Sequence, residues 1–474
     1  MLVDHYGGSN HVSMPKLETM MAVLKIWIPM LIGFVLGLPC INVKAENWPQ
    51  FRGIRTDGVT TSSCPKVWDS SKNVRWKTPI AGEGWSCPVV WGDSVFLTTA
   101  VPMDRSSKSS QPESYRGGGG RQRSDLTKAE YRWELICLDT GTGKIRWRQV
   151  ARQGNPTIPR HSSNSYATET PVTDGTRIYA YFGMMGLYCY DMAGKPQWQK
   201  DLGAYETRAG WGTASSPLLF EGKLFLQIDN QQQSFLVALD ADTGGEIWRV
   251  KRDEVTQYST PIIWRNSQRN ELVAGGEVTR SYDPATGKLL WKLDMAKGRS
   301  SATPLAVGDR LYVGTEFRNR GGTDDGGGFL FAVKPGGSGD ITPPEGADSS
   351  EFIAWSTADS GIQMASPVLC KGHIYLLERR LNIVHCIDAE TGEKVYRTRI
   401  PGSRAFWASP WTCGDCVYCL DESGTTFVLA GGSDFKVLRQ NVIDERAWAT
   451  PAAANGALFL RTIDNLYCIA ESDR

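Results

Sequence analysis

Cys413, Cys416 and Cys419 recur at every third position, a spacing at which thiolates can bind zinc or exchange disulfides. A zinc site would need a second ligand pair at similar spacing, and the sequence offers none. Gly414-Asp415 reads as a tight turn, so Cys413 and Cys416 flank a hairpin. They are read as structural thiols, with a cross-strand disulfide between them as the alternative. Beyond the N-terminal segment the histidines are His161, His373 and His385, without His-x-His or His-x-x-x-His spacing. No serine nucleophile elbow or phosphate-binding glycine loop occurs. A different chemistry stands out, that of recognition. Glu83, Trp85, Glu169, Arg208, Trp211 and Gln257 precede a recurring proline by a few residues. So do Tyr258, Arg299, Gln363, Arg404, Trp407, Arg446 and Trp448. Trp and Arg combine large area with directed polar groups and concentrate binding energy.

The elements that position these residues follow from an internal repeat. A proline recurs at Pro88, Pro171, Pro217, Pro261, Pro304, Pro367, Pro410 and Pro451, and most of the eight follow a small-x pair and open an apolar strand, a Gly/Asp turn and a second apolar strand. Most intervals are 41 to 46 residues. The second half of the unit ends in Asp-x-x-Thr-Gly-x-x-x-Trp, as at Asp139…Trp147, Asp240…Trp248 and Asp283…Trp291; Asp191…Trp198 is one residue shorter, and Asp388…Tyr396 carries Tyr. Asp can accept backbone N–H bonds across such a turn, and Gly supplies positive φ. Trp76, Trp147, Trp198, Trp248, Trp291 and Trp355 are expected to fill gaps between neighbouring units. Each unit reads as four short antiparallel strands, one propeller blade. The chain starts with a lone last strand, 73–77, and ends with a unit lacking that strand. Pairing the two predicts an all-β, eight-bladed propeller of four-stranded antiparallel blades over 73–470, closed without exposed edges. Cys137, Cys189, Cys386 and Cys468 share a repeat position with Ala238 and Ala332, which implies small buried core sites.

Residues 1–45 read as a signal peptide, cleaved or kept as an anchor. The uncharged run Ile26 to Leu38 is 13 residues long, with Lys16 and Lys25 before it and a small residue at Ala45. Residues 46–72 form a leader segment. The expected location is the periplasm or cell envelope, with membrane contact only through an uncleaved leader. The 474-residue chain carries 52 Lys+Arg and 51 Asp+Glu. Without residues 1–45, 49 of each remain. That balance leaves no electrostatic footprint for nucleic acid.

The repeat resembles the pyrroloquinoline quinone (PQQ)-like β-propeller family, which includes quinoprotein dehydrogenases and non-catalytic propellers of the BamB type. Trp48-Pro49-Gln50-Phe51-Arg52-Gly53 is similar to the leader of exported propellers of this kind in planctomycete-type bacteria. The dehydrogenase branch implies PQQ stacked on Trp, a calcium ion and an Asp base. The weak metal candidates are Glu169, Asp229 and Asn230, with Glu316, Asp464 and Asn465 on the same face. This chain departs from that branch: it has no adjacent cysteine pair and no haem-attachment Cys-x-x-Cys-His. The expected function is therefore a non-catalytic binding or scaffold module without a cofactor, which takes a protein, a glycan or a small anionic ligand in the central funnel. The alternative is a PQQ- and calcium-dependent dehydrogenase. Eightfold geometry brings the entry residues to the funnel mouth, and the insertions at 101–130 and 316–328 project on the same face. No catalytic residue is assigned.

Overall fold

The computed structural model describes residues 46–104, 126–295, 301–315, 328–358, 360–362, 364–379 and 381–471. The signal segment, most of both insertions, Arg299, Glu316 and Gln363 lie outside the described residues. Eight sheets of four antiparallel strands follow one another around the ring, two of them extended by a short parallel fifth strand. Blade one is typical, with strands Val89–Trp91, Ser94–Pro102, Tyr131–Asp139 and Ile145–Gly154. Its middle strands are almost wholly buried, whereas its outer strand alternates between half-buried and exposed. The middle strands carry continuous apolar runs because a neighbouring blade covers each of their faces. Val74–Pro79 is the outer strand of blade eight and pairs with Asn465–Ala470, Trp76 opposite Cys468. The N-terminal strand thus closes the ring as the repeat phase required.

The proline motif ties the blades together around the inner ring. The residue before each proline is extended because the ring of proline excludes the helical region. Its N–H can then reach the hydroxyl of the same position in the next blade. Cys87 N–H donates to Thr170 Oγ1 (3.1 Å), Thr170 to Ser216 Oγ (2.9 Å) and Ser216 to Thr260 Oγ1 (3.0 Å). The belt continues from Thr303 to Ser366 (3.0 Å), Ser366 to Ser409 (2.9 Å) and Ser409 to Thr450 (2.9 Å). A small residue serves there as spacer, and its hydroxyl accepts in the blades just named; in blade one the position is Cys87.

At the rim, Trp and the Thr-Gly turn form the second tie. Trp76 Nε1 donates to Thr140 O of the next blade (2.8 Å), Trp147 to Met192 O (3.1 Å) and Trp198 to Ala241 O (3.1 Å). Trp248 donates to Pro284 O and Trp355 to Ala389 O, both at 3.2 Å. Each indole lies flat on the turn glycine: a Cβ at Gly244 (φ +70°) would stand 2.7 Å from the Trp198 ring. Trp291 departs from this pattern. It is fully buried and bonds within its own blade, to Glu271 Oε2 at 2.6 Å. Blade five has no Thr-Gly turn; a short strand from its long connection, Gly339–Asp340, pairs beside Trp291 instead. Gly244→Ala is expected to cost about 1–3 kcal/mol, through left-handed strain and displacement of the indole. Gly222→Ala, at φ +70° with open space around it, isolates the strain alone. Urea unfolding of both variants checks this; equal losses would mean that the indole contact adds nothing.

The leader holds the main surprise. It enters the channel from the face of the hairpins between first and second strands. Trp48 bridges Val90, with N···O distances of 2.8 and 2.9 Å, and Thr173 N–H donates to Pro49 O (3.0 Å). Arg52 donates to Pro367 O, and Thr412 N–H to Gly58 O (2.9 Å). Val59–Thr60 then adds a parallel strand inside Trp411–Cys413. Inner strands of blades one, two, six and seven thus grip one short segment. Trp48 and Trp68 are fully buried, and Trp68 leads the chain out over blade seven, stacked on Tyr418 at 6.4 Å.

Candidate functional site

With the leader inside the channel, the entry face is the open side of the funnel. Three tryptophans from three blades meet there. Trp85 and Trp448 have ring centroids 4.7 Å apart, and Trp448 stacks on Trp407 at 5.1 Å and 28°. The Arg379 guanidinium caps the ladder, 4.4 Å from the Trp407 ring. Trp407 Nε1 donates to Glu422 Oε2 (3.0 Å), which fixes the orientation of the indole. All three indoles are half-buried, so part of each faces solvent. Ring stacking on a cation gives a preformed, rigid surface with little entropy left to lose on binding.

Arg404 is exposed beside this ladder, and Arg208, Trp211, Tyr258 and Arg446 are half-buried on the same face. Glu83 is engaged by Arg160, a buried residue of the linker between blades one and two. His161 of that linker packs edge-on against Trp211 at 6.5 Å. Burial, then the charges of Arg379 and Arg160, hold the His161 imidazole below its ordinary pKa. The influence of Arg379 on His161 brings a turn of blade six and the linker of blades one and two to one mouth. Arg160, His161 and Arg379 were absent from the sequence-derived set. Arg379 stands in a dibasic turn between second and third strands, which always projects on this face.

The acidic candidates are dispersed in role. Asp229 is fully enclosed and held by Arg252 at 2.9 and 3.2 Å, with Gln227 donating to it at 2.7 Å. Asn230 is spent on its own turn: Oδ1 accepts from Gln232 and Gln233 N–H, and Nδ2 donates to Gln233 O. Asn465 donates to Glu445 at 2.8 Å, and Asp464 is exposed. Among the described residues no three His, Cys, Asp or Glu side chains gather as a metal site. Glu169, Asp229 and Asn230 therefore do not fit the calcium cradle of the dehydrogenase branch: one carboxylate is neutralised by Arg252, and the amide is committed to backbone.

Glu169 is the perturbed group. Its carboxyl is buried, accepts from Thr213, and is pushed up to about 7 by burial, against the opposing pull of that hydrogen bond. Thr213 also lines a cleft between blades two and three, with Tyr181, Tyr205, Ser215 and Gln227, enclosing about 440 Å³, open solvent included. The folded state binds the Glu169 proton better than the unfolded chain does. Stability should fall as pH rises from about 4.5 through about 7, by roughly 3 kcal/mol in all. Denaturant unfolding at pH 4.5 and pH 8 measures this, and Glu169→Gln is expected to remove most of the decline. An unchanged pH slope in that variant would place the titration elsewhere.

Comparison with known proteins finds partial matches. Residues 135–270 match the family model described as outer membrane protein assembly factor BamB. BamB of Burkholderia pseudomallei is 25% identical over 244 residues, 48% of this chain and 58% of that protein. The chain thus matches little more than half the length of that curated relative. BamB from Moraxella catarrhalis superposes with a TM-score of 0.54 at 12% identity, over 83% of this chain and 98% of that one. Quinohemoprotein alcohol dehydrogenase from Comamonas testosteroni gives 0.55 at 11% identity, over 90% and 81%. A europium-containing methanol dehydrogenase gives 0.55 at 11% identity, over 89% and 90%. At such identities these likenesses establish the common fold alone.

Proposed function

We propose, from the premise that the chain is a PQQ-repeat propeller and a distant homologue of BamB, that it is a non-catalytic binding module of the cell envelope. It works without a cofactor and takes an acidic segment of a partner protein at the funnel mouth. The observation that carries this reading is the Trp85–Trp448–Trp407 ladder, capped by Arg379 and flanked by the exposed Arg404. Half-buried indoles offer large apolar area, and arginines grip carboxylates bidentately. A protein segment suits the mouth because three indoles in a row span several residues of chain, whereas a small anion would meet the guanidinium groups alone. Two of the carboxylates near the mouth and the neighbouring cleft are paired with arginines, Asp229 with Arg252 and Glu83 with Arg160.

The test pairs Arg404→Ala with Trp407→Ala. Capture of envelope proteins, and binding of a Glu/Trp-containing peptide read by indole fluorescence, should weaken at least tenfold. The melting temperature should move by a few degrees at most, because both side chains are partly or wholly exposed. Unchanged capture and unchanged peptide affinity would remove the mouth from consideration. Dye-linked alcohol or sugar oxidation by the wild-type protein with added PQQ and calcium would favour the dehydrogenase reading instead.

A further inference from the structure

We propose that Cys64 and Cys413 form a disulfide that fastens the N-terminal leader, and with it the channel plug, to blade seven. The backbone places the two residues against each other. Thr60 lies in parallel register with Cys413, and Gly58 O accepts from Thr412 N–H at 2.9 Å. The Cys413 thiol then reaches back over the leader to Ser62 O, at 3.1 Å, two residues before Cys64. Cys64 is buried in the core cluster that joins leader, blade seven and blade eight, and Cys413 and Cys416 pack against that same cluster. The two thiols stand close enough to perturb each other: Cys64 holds the Cys413 thiol below its ordinary pKa, and Cys413, with burial, raises that of Cys64. Cys413 is therefore the first to ionise, and it is partly exposed, so an oxidant can reach it.

The chemistry needs a disulfide-bearing oxidant such as oxidised glutathione. The Cys413 thiolate attacks one sulfur of the oxidant, forming a mixed disulfide and expelling one thiolate. Cys64, losing its proton, attacks the Cys413 sulfur, and the S–S bond to the oxidant breaks with release of the second thiolate. Two protein thiols lose two electrons and two protons; the oxidant becomes two thiols. Cys416 stands directly across the hairpin from Cys413 and is the competing partner. A Cys413–Cys416 bond would restrain only a turn whose register is already fixed. A Cys64–Cys413 bond closes a loop of roughly three quarters of the chain, the case in which a crosslink most restricts the unfolded state.

The experiment is a non-reducing peptide map of the full chain after equilibration with oxidised glutathione and alkylation of the remaining thiols. The expected result is a Cys64-containing peptide linked to the Cys413 strand, released by dithiothreitol. Because one protease fragment can hold both Cys413 and Cys416, the map is repeated on Cys416→Ser, where the link should persist. Reduction should lower the melting temperature of the wild type by several degrees and leave that of Cys64→Ser unmoved. A Cys413–Cys416 link, or alkylation of all three thiols in the oxidised protein, would overturn the proposal. The wild-type and Cys416→Ser maps together decide the matter even if Cys64→Ser fails to fold.

Discussion

Deletion of residues 46–80 is expected to abolish cooperative unfolding and send the protein into aggregates. Two losses combine. Val74–Pro79 leaves the strand Asn465–Ala470 with an unpaired, buried-type edge, and such an edge pairs with other chains. The inner strands also lose the leader, whose Trp48 and Trp68 are fully enclosed. Truncation of either indole alone should cost about 3–5 kcal/mol. A shorter deletion, 46–72, separates the two effects. It keeps the closing strand and empties the channel, so a monomer with a markedly lower melting temperature is expected. Size exclusion and calorimetry of both deletions check this. A monomeric 46–80 deletion with the wild-type transition would mean that neither closure nor plug supports the ring.

Arg252→Met is expected to destabilise the protein by about 3–5 kcal/mol, the cost of leaving a buried carboxylate without its partner. Asp229 and Arg252 are both wholly enclosed, and Arg252 also donates to Tyr282 OH and Gly275 O, each at 3.1 Å. Asp229→Leu combined with Arg252→Met should recover much of the loss, because removing both charges spares their desolvation. Urea unfolding of the singles and the double completes the cycle. A double variant as unstable as the sum of its singles would show that each group acts alone.

The ring was legible because its determinants are local and repeated. The Thr-Gly turn sets positive φ, the glycine makes room for an indole, and the small residue before proline carries the hydroxyl belt. Closure followed from phase, since a lone last strand at one end must meet the blade that lacks it. The channel plug was not legible. Val59–Thr60 is too short to show a period, and its partners lie hundreds of residues away, as in the Arg52 bond to Pro367 O. Trp291 is buried against blade five as the repeat implied, but its hydrogen-bond partner could not be foreseen, because blade five replaces the Thr-Gly turn with a long connection. At the site, equivalent positions of successive blades converge, so Trp85, Trp407 and Trp448 lie in contact. That convergence could not reveal that Asp229 serves Arg252, a pairing within blade three set by side-chain reach. Nor could it find Arg160, whose place at the site depends on the reach of its side chain to Glu83.

The central claim, that the mouth rather than the plugged face receives a partner, is tested most directly by site-specific photocrosslinking in the native envelope. A photoreactive phenylalanine analogue replaces the half-buried Ala405 beside the ladder, and in a second protein it replaces Glu221 in a turn on the opposite face. The account predicts one discrete crosslinked protein from position 405, diminished by Arg404→Ala, and none from position 221. Crosslinks from 221 alone, or the same products from both positions, would contradict it.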